Sequence, residues 1–324
     1  MNGSRERAAG SRRREALRVA ALGLPAVLGA CGQTAAPGGG AGRSATKREY
    51  VVAPLLGDLN QLTTSISRAQ PMADFLKKES GLGVRAFAPG DYAGTMIGLA
   101  DGTIDYGFLP AVLYLRAADE SGAQALFRTV RPGPGKAPTP TYSGIIAVRA
   151  DSGLTGLADL KGKNIAVADP SDAAGWVLPA AHLKKNGVDP AKDARVQYRN
   201  SGADALVQLL GKKADAAFAA RHDLEHADVL KADPEAATTL KVLATVDNAP
   251  LEVVAARKGL DSKVVDTFRA AFKSLGDPAK ATYTKDGKTE PILGQWGVTG
   301  LVEAKGADFA ALREAAKAIG VKLK

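Results

Sequence analysis

The stretch from Tyr142 to Leu183, YSGIIAVRADSGLTGLADLKGKNIAVADPSDAAGWVLPAAHL, holds the residue types needed to grip a small polar ligand. After an apolar run at 164–168, Asp169-Pro170-Ser171-Asp172 breaks the chain and offers carboxylates, a hydroxyl and the amides of a new helix start. A helix start at the carboxyl end of a strand presents free N–H groups, which is where open α/β sheets hold small anions and other polar ligands. Further on, His222-Asp223-Leu224-Glu225-His226 places two imidazoles four residues apart with two carboxylates between them. On one helical face that set could hold zinc.

The two stretches point to different chemistries. The first describes a receptor. Ser171 to Gly175 would form one side of its cleft, with Ser171, Asp172, Ala173, Ala174 and Gly175 at the ligand and Trp176 stacking on it or packing in the core. The second fits the His-x-x-Glu-His pattern of inverted zinc peptidases, with Glu303 as a distant third ligand. Short motifs recur by chance, and a surface helix with a polar face explains the run adequately. No Gly-x-Ser-x-Gly elbow or P-loop occurs, and Gly38 to Gly40 lies in a tether with no flanking strand. No cofactor is called for. The expectation is a binding protein, with a zinc-dependent hydrolase or a non-catalytic metal site as the alternative.

The elements that would position these groups alternate strand and helix. Strands are predicted at 50–54, 84–88, 104–109, 144–148, 164–168 and 215–219. Helices are predicted at 71–80 with Pro71 in the first turn, at 92–101 closed by Gly102, at 173–186 ended by Gly187, and at 221–230. Helices rather than hairpins between strands favour parallel βαβ units with right-handed crossovers.

Arg12-Arg13-Arg14 precede an apolar run at 19–29, too short to span a bilayer, that ends in Leu28-Gly29-Ala30-Cys31. This reads as a lipoprotein signal peptide, residues 1–30, with Cys31 as the lipidated thiol. Arg13-Arg14 with Ala16-Leu17-Arg18 resembles a twin-arginine export signal, and a general secretory signal fits the same basic segment. Residues 32–47 lack an apolar period and read as the rest of a flexible tether that begins at Cys31. Cys31 is the chain's single cysteine, so disulfides play no part. The first thirty residues hold six arginines and two glutamates, so their removal lowers the net charge from +9 to +5. The remaining Lys and Arg are scattered with few aromatics between them, which argues against nucleic acid as a partner.

The order and spacing of several segments resemble the phosphate/phosphite/phosphonate-binding family of ABC-transporter solute-binding proteins. These are DYAGTMIGLADG at 91–102, DYGFLPAVLY at 105–114, Tyr142-Ser143, DLKGK at 159–163, and Asp169-Pro170 with Gly175 and Pro179. GKKADAA at 211–217 and DFAALREAAKAIG at 308–320 complete the set. The resemblance implies an α/β, two-lobed, type II periplasmic-binding-protein fold. Two crossover strands, near 143–148 and 242–246, would place 48–143 with 247–324 in one lobe and 144–246 in the other. It implies a monomeric, exported lipoprotein facing the periplasm or cell surface, which delivers a small phosphonate-, phosphite- or phosphate-like oxyanion to a permease and its ATPase, with another small carboxylate or sulfonate as the alternative. Tyr92, Tyr142, Ser143 and Ser201 would join the ligand site.

Three departures bear on the ligand. Relatives carry a Ser/Thr run where this chain has Asp172-Ala173-Ala174, so an Asp172 acting as helix cap would compete with a bound anion. Relatives tend to have histidine at the position of Ala203. Some have an acidic residue near Ala220 that holds a ligand amine, whereas this chain continues Arg221-His222. Arg221 is expected either to grip an amine-free anion with its guanidinium fork or to be a solvated residue at a helix start.

Overall fold

The computed structural model describes residues 48–56, 62–133 and 136–323, and the side chains of 62–66 lie outside that description. The signal peptide, Cys31 and the tether lie outside the described residues.

Along the chain the elements are β1 (Glu49–Ala53), α1 (Leu62–Ser80), β2 (Gly83–Ala86), α2 (Tyr92–Asp101), β3 (Tyr106–Leu109), α3 (Ala111–Ser121), β4 (Gln124–Pro132) and β5 (Pro138–Thr139). There follow β6 (Thr141–Arg149), β7 (Asn164–Val167), α4 (Leu178–Lys185), α5 (Pro190–Asp193), β8 (Arg195–Tyr198), α6 (Gly202–Leu210), β9 (Ala216–Ala220), α7 (Ala227–Ala232) and α8 (Ala236–Thr239). The chain ends with β10 (Leu240–Pro250), β11 (Val253–Ala256), α9 (Ser262–Leu275), β12 (Thr282–Lys285), β13 (Lys288–Pro291), β14 (Gly300–Glu303) and α10 (Ala310–Ala318). No described helix is long and apolar enough to cross a membrane.

Two sheets organise these elements. The first runs β14-β4-β11-β3-β1-β2, with β5 paired to β4, and the second runs β10-β6-β9-β7-β8. In the first, β1 is parallel to β2 and β3, while β11 is antiparallel to β3 and β4. In the second, β7 is parallel to β8 and β9, and β6 is antiparallel to β9. The expected parallel units are therefore present at one end of each sheet, and antiparallel strands extend it on the other side. Because β1 sits between β2 and β3, and β7 between β8 and β9, each sheet has a point where the chain reverses its direction of winding. Crevices at the carboxyl ends of strands open at such points.

Both faces of each sheet are covered, as strands such as Tyr106–Leu109 and Ala216–Ala220 require by being buried at every position. Helices α1 and α9 bury Met72, Leu76, Phe268 and Phe272 against Tyr106, Phe108 and Phe127 on one face of the first sheet. Met96 and Leu99 of α2 cover the other face. Helix α6 packs Leu206 and Leu209 on the second sheet. Helix α10 lies against α4 and α3, so Phe309, Leu312, Ala315 and Ala316 share one apolar cluster with Val112, Leu115 and Val177.

Three helices depart from the sequence expectation. Helix α1 begins at Leu62 and carries Pro71 inside it. The buried Ala69, Met72, Ala73 and Leu76 continue one apolar stripe past the proline, and that packing outweighs the lost backbone bond. The helix expected from Ala173 starts instead as a wide π-type turn, Ala173–Val177, before α4. Pro179 has no N–H to give the carbonyl of Gly175, which accepts from Ala168 N at 3.2 Å instead. The helix expected at 221–230 is split into a 3₁₀ turn, Arg221–Glu225, an extended His226, and α7. Asp223 accepts from Ala220 N and His226 Nδ1 accepts from Asp228 N, so local side-chain bonds compete with a continuous helix.

The π-type turn approaches β6 closely. A Cβ on Gly144 would lie 2.4 Å from the carbonyl oxygen of Ala174, whereas one on Gly156 would meet nothing within 4 Å. Gly144→Ala is therefore expected to lower stability by about 1–3 kcal/mol in urea denaturation, the cost of forced overpacking, and Gly156→Ala to change it by less than about 0.5 kcal/mol. Equal effects of the two would show that the close approach carries no energetic weight.

Candidate functional site

The ends of the strands converge on one cleft of about 700 Å³. Asp91, Tyr92 and Ala93 follow β2, and Pro110, Ala111 and Leu113 follow β3. From the second sheet, residues 169–174 follow β7, 200–202 follow β8, and Ala220, His222 and Asp223 end β9 or follow it. Tyr142 on β6 and residues 249–252, the end of β10 and its link to β11, close the remaining side. Both reversal points of the fold thus open onto the same space.

Asp91 and Tyr92 mark the start of α2. The Asp91 carboxylate accepts from Gly94 N at 2.8 Å, and Tyr92 Oη donates to Leu56 O at 3.3 Å. Burial raises the Tyr92 pKa well above the usual phenol range, with the negative charge of Glu252 adding to it, so the hydroxyl stays protonated. Tyr142 lies with its ring 4.1 Å from that of His222. Burial pushes its hydroxyl up to about 12, against the opposing pull of Arg131.

The 169–175 turn is closed by its own acids. Ser171 donates from both N and Oγ to Asp169 Oδ1, and Asp172 Oδ1 accepts from Ala174 N at 2.9 Å and Gly175 N at 2.7 Å. Asp172 therefore caps the helix start with the amides that would otherwise face a ligand. Burial raises its pKa to about 6, helped by the charge of Asp223 and opposed by those two amides. Asp223 is likewise raised to about 6 by burial, against the bond from Ala220 N. Its carboxylate sits directly over α6, where a Cβ on Gly202 would come within 2.1 Å of Asp223 Oδ2. Burial pushes the His222 pKa down and the charge of Arg131 adds to this, while Asp172 opposes it, so the imidazole is neutral at neutral pH.

Behind the cleft, Glu252 is clamped. Arg131 donates from Nη2 at 2.8 Å and Nε at 3.3 Å, Thr129 Oγ1 donates at 2.5 Å, and Arg131 Nη1 reaches the carbonyl of Trp296. Burial opposes the charged form of Glu252, yet the Arg131 charge and these bonds outweigh it and hold its pKa below the usual range. A fork-shaped pair of this kind fixes β4 to the segment entering β11.

Of the residues singled out from sequence, Tyr92, Tyr142, Ser171, Asp172, Ala173, Ala174, Ser201 and His222 line the cleft. Ser201 also caps α6, accepting from Asp204 N at 3.1 Å. The other four lie elsewhere. Gly175 is buried under the turn, and Trp176 is only 6% exposed, edge-on to Tyr198 and stacked with Phe218. Ser143 donates to Asp247 Oδ1 at 2.6 Å across the β6–β10 ladder. Arg221 is exposed and outside the lining, whereas His222, itself half-exposed, and Asp223 border the cleft from the same 3₁₀ turn. The same turn separates the histidines: His226 is extended and caps α7, so His222, Glu225 and His226 do not share a helical face. Among the described residues no group of three or more His, Cys, Asp or Glu is placed to hold a metal.

Asp91, Asp169, Asn200, Gly202, Asp223 and Glu252 were not singled out as site residues. Glu252 carries a readable signal, a lone carboxylate inside the apolar run APLEVVAA at 249–256. A buried charge implies a partner, though not which of 43 Lys and Arg it is.

The two raised acids give a signed pH dependence. Their folded-state pKa values of about 6 lie above the ordinary 3.8, so the native state binds the extra protons and stability falls as pH rises from about 4 through about 6. Asp172→Asn, which keeps an oxygen for the cap, is expected to flatten that fall by about 1.4 kcal/mol per pKa unit removed. Thermal melts of both proteins from pH 4 to 8 check this, and parallel curves would rule it out.

A family model described as the periplasmic substrate-binding protein of ABC phosphonate transporters matches residues 61–309. The phosphonates-binding periplasmic protein of Escherichia coli K12 is 26% identical over 212 residues, 64% of this chain and 60% of that protein. The phosphate-import protein PhnD of Mycolicibacterium smegmatis is 27% identical over 210 residues, 62% of this chain and 64% of that protein. The match therefore spans less than two thirds of either relative's length. Among solved structures, a Xanthomonas citri protein bound to ATP aligns with a TM-score of 0.66 at 18% identity, covering 84% of this chain and 97% of that one. PhnD1 of Prochlorococcus marinus in complex with methylphosphonate aligns with a TM-score of 0.60 at 13% identity, covering 85% and 99%. These two share the fold, an α/β two-lobed periplasmic-binding-protein architecture. The chain belongs to the phosphonate-type family of ABC-transporter periplasmic substrate-binding proteins.

Proposed function

We propose that the chain is the solute receptor of an ABC importer, exported and anchored to the membrane through lipidated Cys31. It takes a small phosphonate-like solute into the cleft and delivers it to the permease and its ATPase. The observation that carries this reading is the single cleft fed by the strand ends of both sheets, in a chain of this family. One lobe comprises 48–143 and 247–324 and the other 144–246, joined through β6 and β10. Closure of the lobes on the ligand shifts an open–closed equilibrium, and the permease reads the closed form.

Within the cleft, Tyr92 and Tyr142 supply protonated hydroxyls, and Ser171 and Ser201 supply further polar contacts. The role is binding rather than catalysis, in line with the binding-protein relatives. Their names report phosphonate and phosphate ligands, and this reading assigns the same broad class here.

A thermal-shift series on ligand-stripped protein tests the assignment. Phosphate, phosphite, methylphosphonate, 2-aminoethylphosphonate, alkyl sulfonates and dicarboxylates would each be added at increasing concentration. A true ligand at one hundred times its dissociation constant adds about 2.7 kcal/mol. At least one phosphorus oxyanion is expected to do so, and Tyr142→Phe to weaken it by about 1–3 kcal/mol. Stabilisation by carboxylates or sulfonates alone would reject the phosphonate class. Separately, Cys31→Ser is expected to move the protein from the membrane to the soluble fraction and to abolish palmitate labelling. Unchanged fractionation would reject the anchor.

A further inference from the structure

An oxyanion that enters the cleft meets its own sign of charge. Asp91, Asp169, Asp172, Asp223 and Glu252 line the space, and no described lysine or arginine does. Residues 57–66 and 134–135 contain no cation by type. Of the five acids only Glu252 is ion-paired to a guanidinium, that of Arg131 at 2.8 Å. The positive charge that would offset a bound anion therefore has to come from a source other than a lining cation.

Two of the acids are built to take up a proton. Asp172 spends Oδ1 on the amides of Ala174 and Gly175, and its Oδ2 has no hydrogen-bond partner without being sealed from solvent. Asp223 gives Oδ2 to Ala220 N, and its Oδ1 lies 3.7 Å from His222 Nε2, beyond hydrogen-bond reach. Each acid thus has one oxygen fixed by the backbone and one open to protonation. A protonated carboxyl changes from a pure acceptor into a donor, which is the group an oxyanion needs. Burial already holds both acids at about 6, and an added negative charge raises them further.

The surrounding charges leave that tendency in place. Asp169 shares the turn with Asp172, Asp91 starts α2 on the same cleft, and Tyr142 of β6 stays protonated. His222 acts on Asp172 and His226 on Asp223, but burial keeps His222 neutral at neutral pH and His226 is bonded to Asp228 N. Strand β9, which packs on both turns, carries no titratable group. The helices packed there keep their charges out of the lining: His182, Lys184 and Lys185 in the last turn of α4, Asp204 on α6, Asp228 and the exposed Lys231 on α7. On α10, Arg313 is paired with Asp119, and Glu314 and Lys317 are exposed.

We propose that a phosphonate-like oxyanion enters the cleft together with a proton, held by the free carboxylate oxygens of Asp172 and Asp223, so that capture of the solute is coupled to acid. The inference rests on the reading of the cleft as the site of a phosphonate-like solute and states how that site accepts negative charge. The proton comes from solvent, forms an O–H bond on one of the two carboxylates and is donated to a ligand oxygen. The bound state holds one proton more than the free state, so affinity is highest at low pH and falls as pH rises above about 6.

Isothermal titration of the ligand-stripped full chain with methylphosphonate, at pH 6.5 and 7.5 in two buffers of different ionisation enthalpy, counts the protons taken up. The wild-type chain is expected to take up about one proton more per ligand than Asp172→Asn with Asp223→Asn. It is also expected to lose about tenfold more affinity over that pH unit, the linkage of one proton. The ligand's own ionisation is common to both proteins and cancels. At pH 7.5 the double variant is expected to bind methylphosphonate more tightly than the wild type does. Should the variant not fold, the wild-type count at pH 6.5 decides alone: methylphosphonate is then mostly the monoanion, so about one proton upholds the inference and none overturns it. Equal proton counts with parallel pH dependence, or weaker binding by the folded variant at pH 7.5, would overturn the inference and leave the receptor reading intact. Absence of methylphosphonate binding to the wild type at both pH values would overturn the inference and the phosphonate reading together.

Discussion

The antiparallel ladder between β6 and β10 is the constraint on which the rest of the molecule depends. It runs from Thr141 opposite Pro250 to Arg149 opposite Leu240, and its strands carry the chain into the second sheet and back out of it. Its register shifts twice, between Val242 and Ala244 and between Val246 and Ala249, so the ribbon is irregular where the two sheets meet. Tyr142 sits on one strand near that irregular end, and the 249–252 segment leaves the other. The wall of the cleft and the connection between the two sheets are therefore the same piece of backbone.

Two ways of handling buried charge meet in that space. Glu252 is stabilised by a forked guanidinium and a hydroxyl, which repays its desolvation and makes it a fixed structural joint. Asp172 and Asp223 receive only amide bonds, so their desolvation is not repaid and appears as raised proton affinity. The contrast within one cavity separates a residue that holds the walls together from two acids whose burial costs stability when they are charged.

The alternating strands and helices and the helix start at Asp172 were legible in the sequence because they depend on local signals, whereas Tyr92, Tyr142 and Ser201 were implied by the family resemblance. Asp172 is a helix cap, and caps are readable from type and position. Pro71 and Pro179 misled in opposite directions. Pro71 suggested a helix start that tertiary packing carried nine residues earlier, and Pro179 sat in a helix whose first turn it widened. Arg221 was the residue type expected to grip an anion, yet orientation over one 3₁₀ turn decides between cleft and solvent, and sequence period does not resolve a turn that short. The Arg131–Glu252 joint spans 121 positions and no local rule pairs its members.

The wide turn at Ala173–Val177 carries a consequence for how this chain can change over evolutionary time. Val177 N and Trp176 N both bond to the carbonyl of Asp172, so the turn contains one residue more than an α-helix would need. Deleting any one of these residues would let the helix close regularly while rotating everything before it by ~100° relative to α4. Trp176 would leave the aromatic stack with Tyr198 and Phe218, or Asp172 would leave the cleft, but both could not stay. The helix is thereby locked in length: the turn cannot be shortened without giving up either a core contact or the cleft wall.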